Sequence, residues 1–109
     1  MDERVQKAVQ FMESNCQHKL RLRQIAASVG LSPSRLGTLF LRDLEVSPMR
    51  HLKTTRMQQA RALLESSKLN VKEIAAHAGF SDISHFIRDF RRLYGKAPKT
   101  IRNGNEPHK

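Results

Sequence analysis

The sequence predicts an all-α protein in which two helix-turn-helix motifs are joined by one long central helix. Residues 25–32 (IAASVGLS) recur 49 residues later as residues 74–81 (IAAHAGFS), and after one residue inserted near Asp82 the copies match at an offset of 50. Each copy predicts a short amphipathic helix, a glycine-centred turn and a second helix, which is the helix-turn-helix layout. Two such units in tandem are a far more specific signal than one.

The stretch between the copies is predicted to be one continuous helix. Ser47 is a good N-cap, Pro48 suits the first helical position, and neither Gly nor Pro follows before Ser66. Apolar residues recur in it at helical spacing, namely Leu52, Met57, Ala60, Leu63 and Leu64. Because each repeat would be only marginally stable alone, we expect this helix to contribute to both cores.

Shorter helices complete the predicted fold. Residues 3–14 form a packing helix that Asp2 caps. The first helix of each repeat ends at a glycine, which tolerates the left-handed conformation of a helix C-terminus. These glycines are Gly30 and Gly79. Pro98 begins a last helical turn that extends to Arg102, and we expect residues 103–109 to be a disordered tail without function.

The second helix of each repeat has an apolar inner face and a polar outer face. The expected N-caps are Ser32 and Ser81. The predicted inner faces are Leu36, Leu39, Phe40 and Leu44 in the first copy, and Phe86, Phe90 and Leu93 in the second. The outer faces are Ser34, Arg35, Gly37, Thr38 and Arg42 in the first copy, and Ser84, His85, Arg88, Arg91 and Arg92 in the second. These outer residues are the candidate binding residues.

The formal net charge of +10 follows the repeats. Residues 1–20 balance at zero, whereas residues 21–66 and 67–109 each carry an excess of +5. A small basic chain indicates a polyanionic partner, either nucleic acid or an acidic membrane surface. Most of its basic residues are Arg, which suits paired contacts to phosphates and base edges, so nucleic acid is favoured.

Gly37 lies inside a predicted helix, where glycine costs about 1 kcal/mol relative to alanine. Either the site tolerates this cost, or the missing side chain lets the helix backbone approach DNA closely. The sequence leaves both interpretations open.

Catalysis and metal binding are not expected. Cys16 is the single cysteine, and Cys16 with His18 has no second pair at ligand spacing, so we predict neither a disulfide nor a metal site. A Ser-His-Asp set can be drawn from Ser81, His85 and Asp82, but Ser81 is better explained as a helix cap. We therefore predict a protein that is not an enzyme and uses no cofactor.

The first residues lack the apolar core of a signal peptide, and no apolar run approaches the roughly 18 residues of a membrane span. We expect a cytoplasmic protein without a membrane partner.

Two sets of residues resemble the AraC/XylS family of transcription regulators. The second repeat matches the family signature through Ala75-x-x-x-Gly79-Phe80-x-Asp82, Phe86-x-Arg88-x-Phe90-Arg91-Arg92-x-x-Gly95 and Pro98. The central stretch is similar to the linker helix of the family through Pro48-x-x-x-Leu52 and Arg56-Met57-x-x-Ala60-x-x-Leu63-Leu64. The resemblance covers residues 3–102.

The resemblance implies a bilobed all-α fold of about seven helices, with both recognition helices in the major groove on one face of DNA. It implies an AraC-type DNA-binding domain over residues 1–102, with a first lobe at 3–46, a linker helix at 47–66 and a second lobe at 67–102. The residues it implies for base contacts are Ser34, Gly37, Thr38, Ser84, His85 and Arg88. Arg35, Arg42, Arg91 and Arg92 complete the expected DNA-binding surface.

Double-stranded DNA is the partner that the resemblance implies. Because the two recognition helices differ in sequence and are joined in tandem, we expect one chain to read two successive major-groove segments of one asymmetric site. The implied role is sequence-specific regulation of transcription, as an activator or a repressor, with RNA polymerase as a protein partner. Many members carry an effector-binding or dimerisation domain before this part, and we expect that domain to be absent from this chain.

Three positions depart from the family pattern. Glu45 stands where the second repeat has Gly95, His51 stands where an aromatic residue is usual, and Ala97 stands where Ser or Thr is usual. Glu45 leaves the backbone geometry at its helix end open.

The other interpretation is a basic module for protein interaction or for binding an anionic membrane surface, with the central helix as its amphipathic element. A membrane helix has no use for two complete helix-turn-helix units at a fixed spacing, so we favour DNA.

Overall fold

The computed structural model describes residues 1–104, with side chains for residues 1–102, and all regular secondary structure in this part of the chain is α-helical. Its helices are α1 (Glu3–Asn15), α2 (Leu22–Ser28), α3 (Pro33–Leu44), α4 (Pro48–Ser66), α5 (Val71–His77), α6 (Ile83–Tyr94) and α7 (Pro98–Gly104). The predicted all-α class with seven helices is confirmed. Helix α7 extends two residues beyond the predicted end at Arg102, and the rest of the predicted tail lies outside the described residues.

The chain divides into two compact units, Met1–Thr55 and residues 56 onward, each with its own apolar core. The core of the first unit is built by helices α1 to α3 together with Leu52 from α4. The core of the second unit is built by α5 and α6 together with Met57, Ala60 and Leu64 from α4. The expectation that the central helix contributes to both cores is therefore confirmed.

Side-chain caps fix where several helices begin. The Asp2 carboxylate accepts a hydrogen bond from the Arg4 amide at 2.8 Å, and the Ser32 hydroxyl accepts one from the Arg35 amide at 3.1 Å. The Ser47 hydroxyl lies 3.2 Å from the Arg50 amide nitrogen and accepts its hydrogen bond at the start of α4. These three caps are the ones that the sequence predicts.

The predicted cap of α6 is wrong. Asp82, not Ser81, adopts the extended backbone (φ −122°, ψ 114°) before the helix, and its carboxylate accepts a hydrogen bond from the Ser84 amide at 2.8 Å. Both residue types are good caps, so composition alone does not choose between them. The residue inserted in the second repeat shifts the helix start by one position, which makes Asp82 the counterpart of Ser32.

The predicted inner face of α6 is also wrong at one residue. Leu93 is 49% exposed, and Tyr94 packs against the second core instead. Tyr94 continues the row of Phe86 and Phe90 at a spacing of four residues, which places Leu93 on the flank of the helix. The Phe86 and Phe90 ring centroids lie 5.7 Å apart, and those of Phe90 and Tyr94 lie 4.7 Å apart.

Helix α4 ends against Arg102 of α7. The Arg102 guanidinium donates hydrogen bonds to the carbonyl oxygens of Leu64 and Ser67, both at 3.1 Å. Carbonyls at a helix C-terminus lack partners within the helix, so this contact satisfies them and joins α7 to the second unit. Among residues 1–104, no helix has both the length and the apolar character needed to cross a membrane.

Glu45 and Gly95 end helices α3 and α6 with the same backbone conformation. Glu45 has φ 61° and Gly95 has φ 76°, and each amide donates to a carbonyl four residues earlier. Glu45 is therefore a non-glycine residue in the left-handed region, which costs an L-residue about 1–2 kcal/mol. Glu45, which departs from the family pattern, therefore ends the helix with the same geometry as glycine but with backbone strain.

Glu45→Gly is expected to raise the free energy of unfolding by about 1 kcal/mol, because the relief of left-handed strain exceeds the extra entropy of glycine in the unfolded chain. Gly95→Ala is the matched control, since a Cβ at Gly95 would meet no atom within 4 Å and only the backbone term changes. That variant is expected to be destabilised by a similar amount. Urea unfolding followed by circular dichroism measures both, and a loss of stability in Glu45→Gly would contradict this account.

Candidate nucleic-acid interface

Helix α3 turns a polar face outward because its apolar face is fixed in the first core. Leu36, Leu39 and Phe40 are buried there. On the opposite side of the helix, Ser34, Arg35, Thr38 and Arg42 are exposed, and Gly37 is half-buried. The structure thus places all five candidate residues of the first repeat away from the core, on one helix.

Helix α6 presents the corresponding face of the second unit. Its buried residues are Phe86 and Phe90. The exposed candidate residues are Ser84, His85, Arg88, Arg91 and Arg92. Three guanidinium groups on a helix 12 residues long make this the more basic of the two faces.

A tight turn before each recognition helix sets its direction. Gly30 has φ 69° and Gly79 has φ 85°, the left-handed conformation predicted for both. At Gly79 a second constraint applies, because an added Cβ would lie 3.0 Å from Nε of Arg56 on α4. Glycine is thus favoured there by the backbone conformation, and an added Cβ would also require the Arg56 guanidinium to shift by a few tenths of an ångström.

Arg42 differs from the other candidate cations because two carboxylates hold it. Its Nε lies 3.0 Å from Oδ1 of Asp43, and its Nη2 lies 3.7 Å from Oδ2 of Asp2. The backbone amide of Asp2 also donates to the Asp43 carboxylate at 2.8 Å. The start of α1 therefore lies against the C-terminal half of α3.

These contacts keep both carboxylates ionised. Hydrogen bonds from Arg4 lower the pKa of Asp2 to about 2, and the hydrogen bond from Arg42 lowers the pKa of Asp43. The same partnership raises the pKa of Arg42. A phosphate at Arg42 would compete with two carboxylates for one guanidinium, so Arg42 is a weaker anion-binding group than an unpaired arginine.

The polar side chains on the outer face of α6 are held more loosely. Arg88 Nε lies 3.4 Å from Oδ1 of Asp89, and Nε2 of His85 lies 4.0 Å from Oδ2 of Asp82. Within the described part of the chain, Arg91 and Arg92 have no acidic partner. All four side chains can therefore reorient towards a ligand at small cost.

Sequence reasoning missed two features of α3. The first is the cluster of Asp2, Arg42 and Asp43, for which the adjacent Arg-Asp pair was the only local signal. The second is Leu41, which is 58% exposed on the recognition helix. Helical spacing could have located Leu41, because it lies seven residues after Ser34 and three after Thr38.

No protein atom requires glycine at position 37. An added Cβ would meet nothing within 4 Å, and Gly37 lies in the regular part of α3. Gly37→Ala is therefore expected to stabilise the chain by about 1 kcal/mol, the difference in helix propensity. Urea unfolding checks this prediction, and a destabilised variant would contradict it.

The same variant separates the two interpretations of Gly37. If the helix backbone lies against DNA at this position, Gly37→Ala weakens DNA binding although it stabilises the fold. If the fold only tolerates glycine at this position, the affinity for DNA stays unchanged. Ser34→Ala is a useful comparison, because it changes a side chain on the same exposed turn without adding a Cβ.

Together, these features define a protein with two helix-turn-helix units, each presenting a recognition helix whose outer face is polar and basic. A sequence model of the helix-turn-helix domain family matches residues 25–104. The chain belongs to this family, and specifically to its AraC/XylS branch of transcription regulators, as the resemblance implied.

Individual proteins of known sequence or structure are also similar to this chain. The arabinose operon regulatory protein of Escherichia coli K12 is 32% identical over 107 residues, which cover 97% of this chain and 37% of that protein. An AraC-type transcriptional regulator from Chromobacterium violaceum has a TM-score of 0.91 at 29% identity, covering 96% of this chain and 95% of that structure. The chain spans about a third of the length of the curated relatives it matches.

One similar structure contains DNA. The DNA-binding domain of AdpA, a global transcriptional factor, was solved in complex with a target DNA. It has a TM-score of 0.86 at 25% identity, covering 94% of this chain and 93% of that structure.

Proposed function

We propose that this chain is the sequence-specific DNA-binding part of a transcription regulator, and that α3 and α6 read successive major-groove segments of one asymmetric site. One observation carries the proposal. Each unit buries one side of its recognition helix in its own core and exposes hydroxyl and cationic side chains on the other. The DNA complex of the similar AdpA domain supports the same use of the fold.

The exposed side chains suit the chemistry of duplex DNA. The major groove is wide enough to admit an α-helix, and its base edges present hydrogen-bond acceptors, donors and the thymine methyl group. We assign base contacts to side chains in the first two turns of each helix, which are Ser34, Thr38, Ser84, His85 and Arg88, with Gly37 permitting close approach of α3. Phosphate contacts go to Arg35, Arg42, Arg91 and Arg92.

The two recognition helices differ in sequence, so the two segments of the site should differ as well. At the counterparts of Arg35 and Thr38 in α3, helix α6 carries His85 and Arg88. A single chain would thus bind a site without two-fold symmetry, and no second copy is needed to complete it. The proposal assigns the chain no catalytic step, and contact with RNA polymerase belongs to the proposed regulatory role.

Selection of binding sites from random duplexes, followed by measurement of affinity, tests the proposal. The expected result is an enriched asymmetric sequence that binds at least about 10³-fold more tightly than unrelated duplex. Anionic lipid vesicles at the same salt concentration are the comparison surface. Equal binding to every duplex, or tighter binding to vesicles than to the enriched duplex, would contradict it.

A further inference from the structure

The outer row of α3 contains an exposed leucine. Leu41 is 58% exposed, and it follows Ser34 and Thr38 at intervals of seven and three residues, so the three share one face of the helix. The core of the first unit contains Leu36, Leu39 and Phe40 of this helix but not Leu41. The fold therefore does not account for a large apolar side chain at this position.

Thr38 adds a second apolar group to the same row. Its hydroxyl donates a hydrogen bond to the Ser34 carbonyl oxygen at 3.1 Å. A threonine hydroxyl has one proton to donate, so Thr38 in this conformation has none left for a base edge. Its methyl group and the Leu41 side chain are the apolar groups that this row of α3 presents.

The second recognition helix carries different chemistry at the same positions. With the offset of 50 that relates the repeats, Thr38 corresponds to Arg88 and Leu41 to Arg91. Both arginines are exposed, as are their two counterparts on α3. One helix thus presents methyl groups where the other presents guanidinium groups.

We infer that Thr38 and Leu41 read thymine 5-methyl groups, so that the first unit adds apolar contacts to those of Ser34, whereas Arg88, the counterpart of Thr38, reads the second segment by hydrogen bonding. The inference rests on the proposed DNA-binding function and adds Leu41 to the residues that determine specificity. Thymine is the only base with a methyl group in the major groove, and apolar side chains distinguish it by packing against that group.

Replacing single thymidines of the selected site by deoxyuridine tests this contact. Deoxyuridine keeps the base pair and lacks only the methyl group. In the segment bound by α3, at least one such replacement is expected to weaken binding of the unaltered chain about fourfold, the value of one buried methyl-sized group. In Leu41→Ala the penalty at the thymine that contacts Leu41 should largely disappear, because its apolar partner is already gone, whereas a thymine read by Thr38 should keep its penalty.

Arg91→Ala is the matched control, since it alters the equivalent position of the second unit. It should keep the full fourfold penalty for deoxyuridine in the first segment. Leu41 is exposed, so Leu41→Ala should fold as the unaltered chain does, which circular dichroism checks.

The outcomes separate the inference from the proposed function. If Leu41→Ala shows the same deoxyuridine penalty as the unaltered chain, Leu41 does not contact a thymine methyl group. If no thymine in the first segment is sensitive while the chain still binds its selected site, the inference is wrong and the proposed function stands. If the chain binds no duplex selectively, the proposed function itself fails.

Discussion

Raising the salt concentration from 50 to 200 mM should weaken DNA binding by this chain roughly 10³- to 10⁴-fold. Residues 21–66 and 67–109 each carry an excess of five positive charges, and neutralising about seven phosphates gives a slope of log K against log salt near −6. This is the largest effect expected of any single change. Fluorescence anisotropy with a labelled duplex over this range measures the slope, and a slope near zero would rule out phosphate contacts as the main source of affinity.

Single arginine variants identify the charges that produce this salt dependence. Arg91→Ala and Arg92→Ala should each make the slope less steep by about 1, because each removes one phosphate contact. Arg42→Ala should change it less, since Asp2 and Asp43 already hold that guanidinium. Lys7→Ala is the control, because Lys7 lies on α1 in an ion pair with Glu3 at 3.3 Å, within the part of the chain that carries no net charge.

Arg88→Ala should relax the preference for one base pair. Arg88 is the only long basic side chain on the outer face of the first two turns of α6. Its side chain is 57% exposed, and its Nε lies 3.4 Å from Oδ1 of Asp89. A guanidinium fork on the two major-groove acceptors of guanine contributes about 1–3 kcal/mol of discrimination, or roughly 5- to 150-fold. Affinity for a panel of single-base variants of the selected site, at one salt concentration, measures this.

Arg92→Ala is the matched control on the same helix. As a phosphate contact, it should weaken binding to all members of the panel by a common factor. If Arg88→Ala also weakens the whole panel by one factor, Arg88 contacts a phosphate and carries no sequence information.

Most of the fold could be predicted because local rules and the internal repeat agree. The repeat placed both turns at Gly30 and Gly79, and capping chemistry placed Asp2 and Ser32 at helix starts. The N-cap of α6 was wrongly predicted to be Ser81 because the adjacent Asp82 is an equally good cap, and only the backbone conformation distinguishes the two residues. Leu93 was misplaced because spacings of three and four residues from Phe90 both satisfy a helical period, and packing selected Tyr94.

The candidate site could be predicted only as two helix faces. Helical spacing is enough to separate Ser34, Thr38 and Arg88 from the buried residues of their helices. The contact between Asp2 and Asp43 joins residues 41 positions apart and depends on how α1 packs against α3, which no local pattern encodes. The left-handed conformation of Glu45 likewise runs against the preference of its residue type, and only the equivalent Gly95 hinted at it.

We expect one chain to place both recognition helices, α3 and α6, on one asymmetric site. The most direct test combines stoichiometry with the sensitivity of binding to every single-base change across the selected duplex. We expect one chain per duplex and two sensitive segments whose centres lie about 10 base pairs apart, with Arg88→Ala altering only one of them. A single sensitive segment, or a palindromic site that binds two chains, would contradict it.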